Sequence, residues 1–364
     1  MKKVLILTGG GDCPGLNAVI RAIARRAAQE GGWKVYGSLE AYHGVMRDPV
    51  EIMEMTPALT EEIHRLGGTI IKATTQGDPR SFPVKQPDGT VVEKNITDDL
   101  VEKIHQLGFE AVISIGGDGS QKISQMLFER GVNIIGVPKT IDNDLSATDF
   151  TFGFQTAVQE ATDAIDRLVS TAKSHNRVII LELMGRDAGW IALYSAIAGG
   201  AHVCLIPEIP YDAQKVVDHI HRQYQGDSGY AIVVVAEGAR SRQGVVTDQA
   251  STEVGYKMRR LGGVAFQLSG ELKACGCRPA MREMILGHLQ RGGSPVAFDR
   301  VLSTSFGVKA FEMVLNKAYG RLVVYRNNRF DTVTLEEATK EYKAIDRQDY
   351  LLEVARGVGI SLGD

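Results

Sequence analysis

Residues 111–120 read AVISIGGDGS and run directly into QKISQMLFERG, residues 121–131. An apolar run broken by a single serine has no polar face, so it reads as a strand buried on both sides. The glycines then turn the chain into a segment with helical spacing. The same order recurs in VLILTGG (4–10) before NAVIRAIARRAAQ (17–29), and in VIILELMGR (178–186) before WIALYSAIAGG (190–200). Doubly buried strands joined through helices predict an α/β fold of parallel sheets with helices on both faces. In such folds ligands sit at the carboxyl ends of the strands, so the turns carry the functional information.

With 364 residues, 44% of them hydrophobic and 23% charged, the chain has material for roughly two domains. A formal net charge of -3 argues against a nucleic-acid surface, which needs a concentrated excess of Lys and Arg. Small molecules are the expected partners. Cys13, Cys204, Cys275 and Cys277 form no C-x-x-C pair, which suits a reducing cytoplasmic setting. No apolar run reaches the roughly 18 residues of a membrane helix, and the apolar part of MKKVLILTGGGD is too short for a signal peptide.

Three turns concentrate chemistry. TGGGDCPGLN (8–17) brings three glycines to a helix start, where backbone N–H groups and the positive dipole end favour phosphate. It matches neither the dinucleotide fingerprint nor the Walker pattern, and a plain strand-to-helix turn is the bland alternative. In SIGGDGS (114–120), Asp118 can hold Mg²⁺ while its flanking glycines leave room for phosphate; an N-cap aspartate is the bland alternative there. VPKTIDND (137–144) then supplies two carboxylates, a hydroxyl and a lysine. Phosphoryl transfer needs a metal on the polyphosphate, a base for the acceptor hydroxyl and cations for the developing charge. An Asx-turn would explain DND but not its company. Downstream, SHNR, MGRD, VAEG, REM and GHLQRGG add Arg177, Arg186, Glu237, Arg282, His288 and Arg291 after apolar runs. Arginine there suits bidentate capture of phosphate.

In this order GGGDCPGLN (9–17), GGDGS (116–120), TIDND (140–144), MGRDAG (184–189) and GHLQRGGSP (287–295) closely resemble the 6-phosphofructokinases. The likeness covers nearly the whole chain, with the stretch between VVVAEGA and REMILGH longer than in compact bacterial members. The resemblance implies two parallel-sheet-rich three-layer domains with the active site in the cleft between them: residues 1–153 plus 295–345 for the donor, and 154–294 plus 346–364 for the sugar phosphate. It implies ATP and fructose 6-phosphate as substrates, with Mg²⁺ on Asp118. Gly11, Tyr42, Gly117, Asp118, Gly119 and Ser120 would contact the donor. Asp142 would be the general base, aided by Thr140, Asp144 and Arg186. Ile141, Met184, Gly185, Glu237, His288, Leu289, Gln290 and Arg291 would join the sugar-phosphate site, with Arg177 and Arg282 reaching in from a neighbouring subunit. A homo-oligomer, most often a tetramer, follows from that arrangement.

Two positions bear on the donor. In the family, a glycine after the metal-binding aspartate leaves space for the α-phosphate of ATP, and pyrophosphate-dependent members carry aspartate there. This chain has Gly119, but it also has Lys139 before the TIDND threonine, where pyrophosphate enzymes carry lysine. An aspartate excludes a nucleotide by bulk and charge, whereas a lysine on a flexible stem excludes little, so ATP is favoured and pyrophosphate is the alternative. Diacylglycerol and NAD kinases share a GGDG turn without the later motifs. A silent nucleotide-binding subunit would not need the Asp118, Asp142 and arginine set.

The effector site of compact bacterial members uses first-helix arginines, here Arg21 and Arg25, together with an arginine, an acidic metal ligand and lysines. Those last positions read Val169, His202 and the lysine-poor YQGDSGY (224–230), so altered control is expected, as is a contact different from the family's nucleotide arginine at Thr75. Residues 239–281 read as irregular apart from an amphipathic helix near TEVGYKMRRLGG (252–263). The segment LEEATKEYKAIDRQDYLLEVARG (335–357) reads as mainly helical.

Overall fold

The computed structural model describes residues 1–225, 229–242, 248–249 and 260–364. Its first sheet has seven strands in the order Arg329–Thr334, Arg321–Arg326, Ile134–Pro138, Ala111–Gly116, Lys2–Thr8, Trp33–Ser38 and Ile52–Glu54. The five inner strands are parallel, and both edge strands pair antiparallel. From Lys2–Thr8 the chain first builds outward to one side and then returns to build on the other. The crevice between Lys2–Thr8 and Ala111–Gly116 is therefore the point where strand order reverses, the place where such sheets bind ligands.

The second sheet has four parallel strands in the order Met281–Ile285, Val178–Leu183, Ala231–Ala236, Val203–Leu205. Every residue of Ala111–Gly116, Val178–Leu183 and Ala231–Ala236 is buried, which is why these runs lack polar alternation. Alternate residues feed different cores. Val4, Ile6, Ile179 and Leu181 share the central core with the helices Leu16–Glu30, Phe154–His175, Trp190–Gly199 and Ala297–Leu315. Leu5 and Leu7 face a second core against the helices Thr97–Gln106 and Asp118–Glu129, while Val178 and Ile180 face a third against Ala213–Gln225 and Val264–Ala274. Each sheet thus has helices on both faces.

One expectation changes, and another lies mainly outside the described residues. Of TEVGYKMRRLGG only residues 260–263 are described, with Arg260–Leu261 a short strand, and the next stretch forms the helix Val264–Ala274, whose Val264, Ala265, Leu268 and Leu272 pack on the second sheet. The 335–357 segment is helical only at Leu335–Ala338 and Tyr350–Gly357. Between them the chain crosses from one sheet to the other: Lys343 N donates to Asp144 O at 3.0 Å, and Trp190 Nε1 donates to Lys343 O at 2.9 Å. Those partners draw the backbone out of a helix whose local propensity alone favours it.

Candidate active site

The first two turns close on one another. Ser120 packs where a Cβ at Gly116 would stand 2.3 Å from its own Cβ, so only glycine lets the strand end and the helix start approach this closely. Asp118 opens the helix Asp118–Glu129 with its side chain 42% exposed, and Lys122 Nζ holds it at 2.7 Å. Beside these turns a cavity of about 540 Å³ opens, lined by Gly10, Gly11, Asp12, Lys72, Thr74 and Thr75. A Cβ on Gly119 would meet nothing within 4 Å. Tyr42, expected at the donor, is 5% exposed and its ring belongs to the core of Leu5, Leu7, Phe82 and Leu100.

In VPKTIDND the strand Ile134–Pro138 delivers Lys139, which is 4% exposed. Its Nζ donates to the Gly11 carbonyl, and burial, with the Arg291 charge, holds its pKa below the ordinary lysine value. The side chain is therefore pinned between the first glycine turn and the DND stretch, not swinging freely. Asp142 N donates to Thr140 Oγ1 at 3.0 Å, and that hydroxyl lies 3.3 Å from Asp142 Oδ2. Asn143 takes a left-handed φ of 53° and accepts from Thr151 N at 3.1 Å, which turns the chain between the two aspartates. Ile141 is fully buried in the central core, so its side chain anchors this turn rather than lining the site.

Both aspartates keep an unused acceptor. Asp142 Oδ1 and Asp144 Oδ1 are buried with no hydrogen-bond partner among the described residues. Burial raises the Asp144 pKa to about 6, and the Asp142 charge adds to the rise. Orphaned buried acceptors are rare in folded proteins and mark places where a ligand completes the bonding.

Three carboxyl ends of the second sheet meet this stretch. After Val178–Leu183, Met184 N donates to Gln290 Oε1 at 3.3 Å, and Arg186 N donates to Glu237 Oε1 at 3.0 Å. Arg186 has φ 54°, and a Cβ on Gly238 would stand 2.0 Å from the Arg186 carbonyl oxygen, so the two loops are locked together. Burial pushes the Glu237 carboxyl above its usual range, with the Asp142 charge acting the same way. From the third turn, Gly287–Arg291, Arg291 Nη1 donates to Asp12 O at 3.3 Å and spans to the first sheet. His288 and Leu289 are exposed there, and Gln290 is fully buried.

Arg177 and Arg282 are not part of this cluster. Arg177 precedes the strand Val178–Leu183, and Arg282 pairs in register with Ile179 near its start. Along the strand that is roughly 23 Å from Met184 for Arg177 and roughly 16 Å for Arg282.

At the expected effector positions, Arg21 Nε donates to Glu61 O at 2.9 Å and Arg25 is ion-paired to Glu61. His202 is a structural residue whose Nδ1 accepts from Ile232 N at 3.0 Å against the Tyr230 ring, and Val169 packs on the central core. Part of YQGDSGY lies outside the described residues.

Other organising groups were not foreseen from sequence. Glu208 Oε1 accepts from Gly189 N and from Ile345 N, both at 3.0 Å, fastening the Arg186 loop to the crossing segment. Asp299 Oδ2 accepts from Thr156 N at 2.7 Å at the start of the helix Phe154–His175. Only the apolar company of Glu208 in LIPEIP hinted at a buried acid.

Residues 3–314 match the phosphofructokinase family model. The chain is 42% identical over 364 residues to ATP-dependent 6-phosphofructokinase 2 of Clostridium perfringens, covering 100% of this chain and 99% of that one. It is 45% identical over 348 residues to the pyrophosphate--fructose 6-phosphate 1-phosphotransferase of Streptomyces coelicolor, covering 94% of this chain and 96% of that one. Among solved structures, Pichia pastoris phosphofructokinase in the T-state superposes with a TM-score of 0.77 at 29% identity, covering 93% of this chain but 35% of that longer one.

Proposed function

The chain belongs to the phosphofructokinase family, and on that premise we propose that it transfers the γ-phosphoryl group of ATP to the 1-hydroxyl of fructose 6-phosphate, giving fructose 1,6-bisphosphate and ADP. The observation that carries the proposal is the buried, unpartnered Oδ1 of Asp142, held where turns from both sheets converge. That oxygen is free to take the acceptor proton. The Thr140 hydroxyl fixes the carboxylate's rotamer from the other side. Arg186 and Arg291 supply positive charge for the developing phosphoryl transition state. Met184, Gly185, Glu237 and His288 hold the sugar.

Gly11 and Gly117 through Ser120 line the donor end, where Gly119 leaves open space for the α-phosphate and the nucleoside attached to it. Asp118 fits Mg²⁺, which usually takes one or two carboxylates plus substrate phosphates; among the described residues no cluster of three metal-ligating side chains offers a complete protein cage. Held by Asp118, Mg²⁺ would supply positive charge against the donor phosphates. Lys122 occupies Asp118 Oδ2 and leaves Oδ1 for the ion.

The donor half comprises residues 1–153 plus 295–345 and the sugar half 154–294 plus 346–364. Strands from residues 2–138 and 321–334 forming one sheet, and strands from 178–285 the other, support that division. Arg177 and Arg282 lie at the far end of their strands, so a site using them needs a second copy of the chain; we assign a homo-oligomer, a tetramer, on that ground. A cytoplasmic setting fits four free cysteines. A second reading, pyrophosphate as donor, draws on Lys139, whose pinned position beside Gly11 puts a cation at the donor loop. Assaying purified protein with fructose 6-phosphate and Mg²⁺ separates the two: turnover with ATP is expected, and turnover with pyrophosphate alone would overturn the donor assignment.

A further inference from the structure

A second cavity, of about 410 Å³, lies apart from the cleft and is lined by Ile209, Pro210, Arg242, Arg347, Arg356 and Asp364. Its three arginines come from three separate stretches of chain, and Asp364 is the one acid among the lining residues. Arg356 Nη2 donates to Asp364 Oδ2 at 2.6 Å, and Arg242 is 3.6 Å from Asp212. Arg347 Nη2 reaches only the Glu208 carbonyl, at 3.5 Å, and no carboxylate pairs with it among the described residues. Bringing three guanidinium groups around one concavity costs mutual repulsion, and the fold answers it with one close carboxylate contact. That contact also shows the chemistry the site accepts: a carboxylate seated on an arginine fork.

The walls of this cavity connect to the sugar loops. Glu208, next to Ile209 and bonded through its carbonyl to Arg347, accepts through its carboxylate from Gly189 N at the foot of the Arg186 loop. On the other wall Arg242 N donates to Tyr211 O at 2.9 Å and Tyr211 N donates to Arg240 O at 3.0 Å, while Arg240 pairs with Asp187 at 3.6 Å. The loop that carries Glu237 thus runs on into the cavity wall at Arg242, and the loop that carries Arg186 is tied to that wall by the Glu208 carboxylate and the Arg240–Asp187 ion pair.

We propose that this cavity is a regulatory site for a small polyanion, a phosphorylated or polycarboxylate metabolite bearing two or more anionic groups, which takes the place of Asp364 on Arg356, engages Arg347 and Arg242, and alters affinity for the sugar phosphate. The size suits a small ligand. The binding claim stands on the cavity alone, whereas the effect on sugar affinity rests on the function proposed above.

Trp190 provides the readout, because its indole donates to Lys343 O four residues before Arg347, and Trp33→Phe leaves it the sole tryptophan. Citrate and 3-phosphoglycerate are titrated separately with fructose 6-phosphate present, so that the acceptor site is filled. A saturable emission change with at least one probe is expected, weakened about tenfold in Arg347→Ala and in Arg356→Ala. It should be retained in His288→Ala and tightened in Asp364→Asn, which removes the competing carboxylate. In turnover assays the same probe should shift KM for fructose 6-phosphate about fivefold with little change in kcat, and in Arg347→Ala the same shift should need about tenfold more probe. No saturable change with either probe, or titrations identical in wild type and both arginine variants, would overturn the site. Binding without a KM shift would overturn the regulatory coupling alone, and absence of turnover with fructose 6-phosphate would instead contradict the proposed function while leaving the binding result standing.

Discussion

The two sheets present their carboxyl ends to the same cleft, yet they build their sides of it differently. At the first two turns of the seven-stranded sheet the working surface is mostly backbone: glycines closed by Ser120, with Asp118 at a helix start. At the four-stranded sheet it is side chains held by neighbouring loops: Arg186 in a left-handed conformation, Glu237 bonded to its N–H, and Gln290 on Met184. Backbone can cradle a polyphosphate of several kinds, whereas locked side chains select one acceptor. The donor side is therefore where specificity can change by a single residue, and the acceptor side is where a single residue disturbs the whole constellation.

The largest effect should come where the two sides meet. Asp142→Asn keeps the shape but removes the proposed base, and kcat should fall on the order of 10²–10⁴-fold with KM for either substrate little changed. Steady-state kinetics checks it, and an undiminished kcat would remove Asp142 from the chemistry.

A disturbance confined to the acceptor side is expected from Gly238→Ala, whose methyl would press on the Arg186 carbonyl oxygen 2.0 Å away. The Arg186 and Glu237 loops must then separate, raising KM for fructose 6-phosphate at least about tenfold and costing about 1–3 kcal/mol of stability. KM for ATP should stay as it was, and an equal rise in both constants would erase the division between the two sides.

Acidification probes the junction more gently. The Asp144 pKa is raised by burial from 3.8 to about 6, so the folded chain holds that proton more tightly than the unfolded chain does. Between those values the native state binds more protons, and this carboxyl's contribution to stability falls as pH rises through the interval. In the proposed mechanism catalysis runs the other way, since there the charged form assists Asp142. The rate should drop as pH is lowered through about 6, and Asp144→Asn should abolish that limb while lowering the plateau.

Much of this was legible in the sequence for a physical reason. Strands buried on both faces cannot hide their identity, and the glycine turns after them mark where the backbone must pass close to something. The placements of Asp142, Glu237 and Arg186 follow from strand ends alone. What was hidden depends on partners distant in the chain. Tyr42, implied at the donor by the resemblance, turns into a core, and the Lys139 stem is immobilised by a carbonyl 128 residues earlier. The helix Val264–Ala274 was masked by Gly270 within its pattern. Glu208 and Asp299 reveal themselves only when the N–H groups they bind are brought to them.

Gly119 tests the comparison most directly. The fold gives no reason for glycine there: a side chain would enter open space, and an aspartate in the first turn of a helix suits the helix dipole. For Gly119→Asp, thermal or chemical unfolding should therefore differ from wild type by no more than about 0.5 kcal/mol. ATP-driven phosphorylation of fructose 6-phosphate should nevertheless be lost. A folded Gly119→Asp enzyme that still turns over ATP at the wild-type rate would contradict the claim that this open space is kept for the nucleotide.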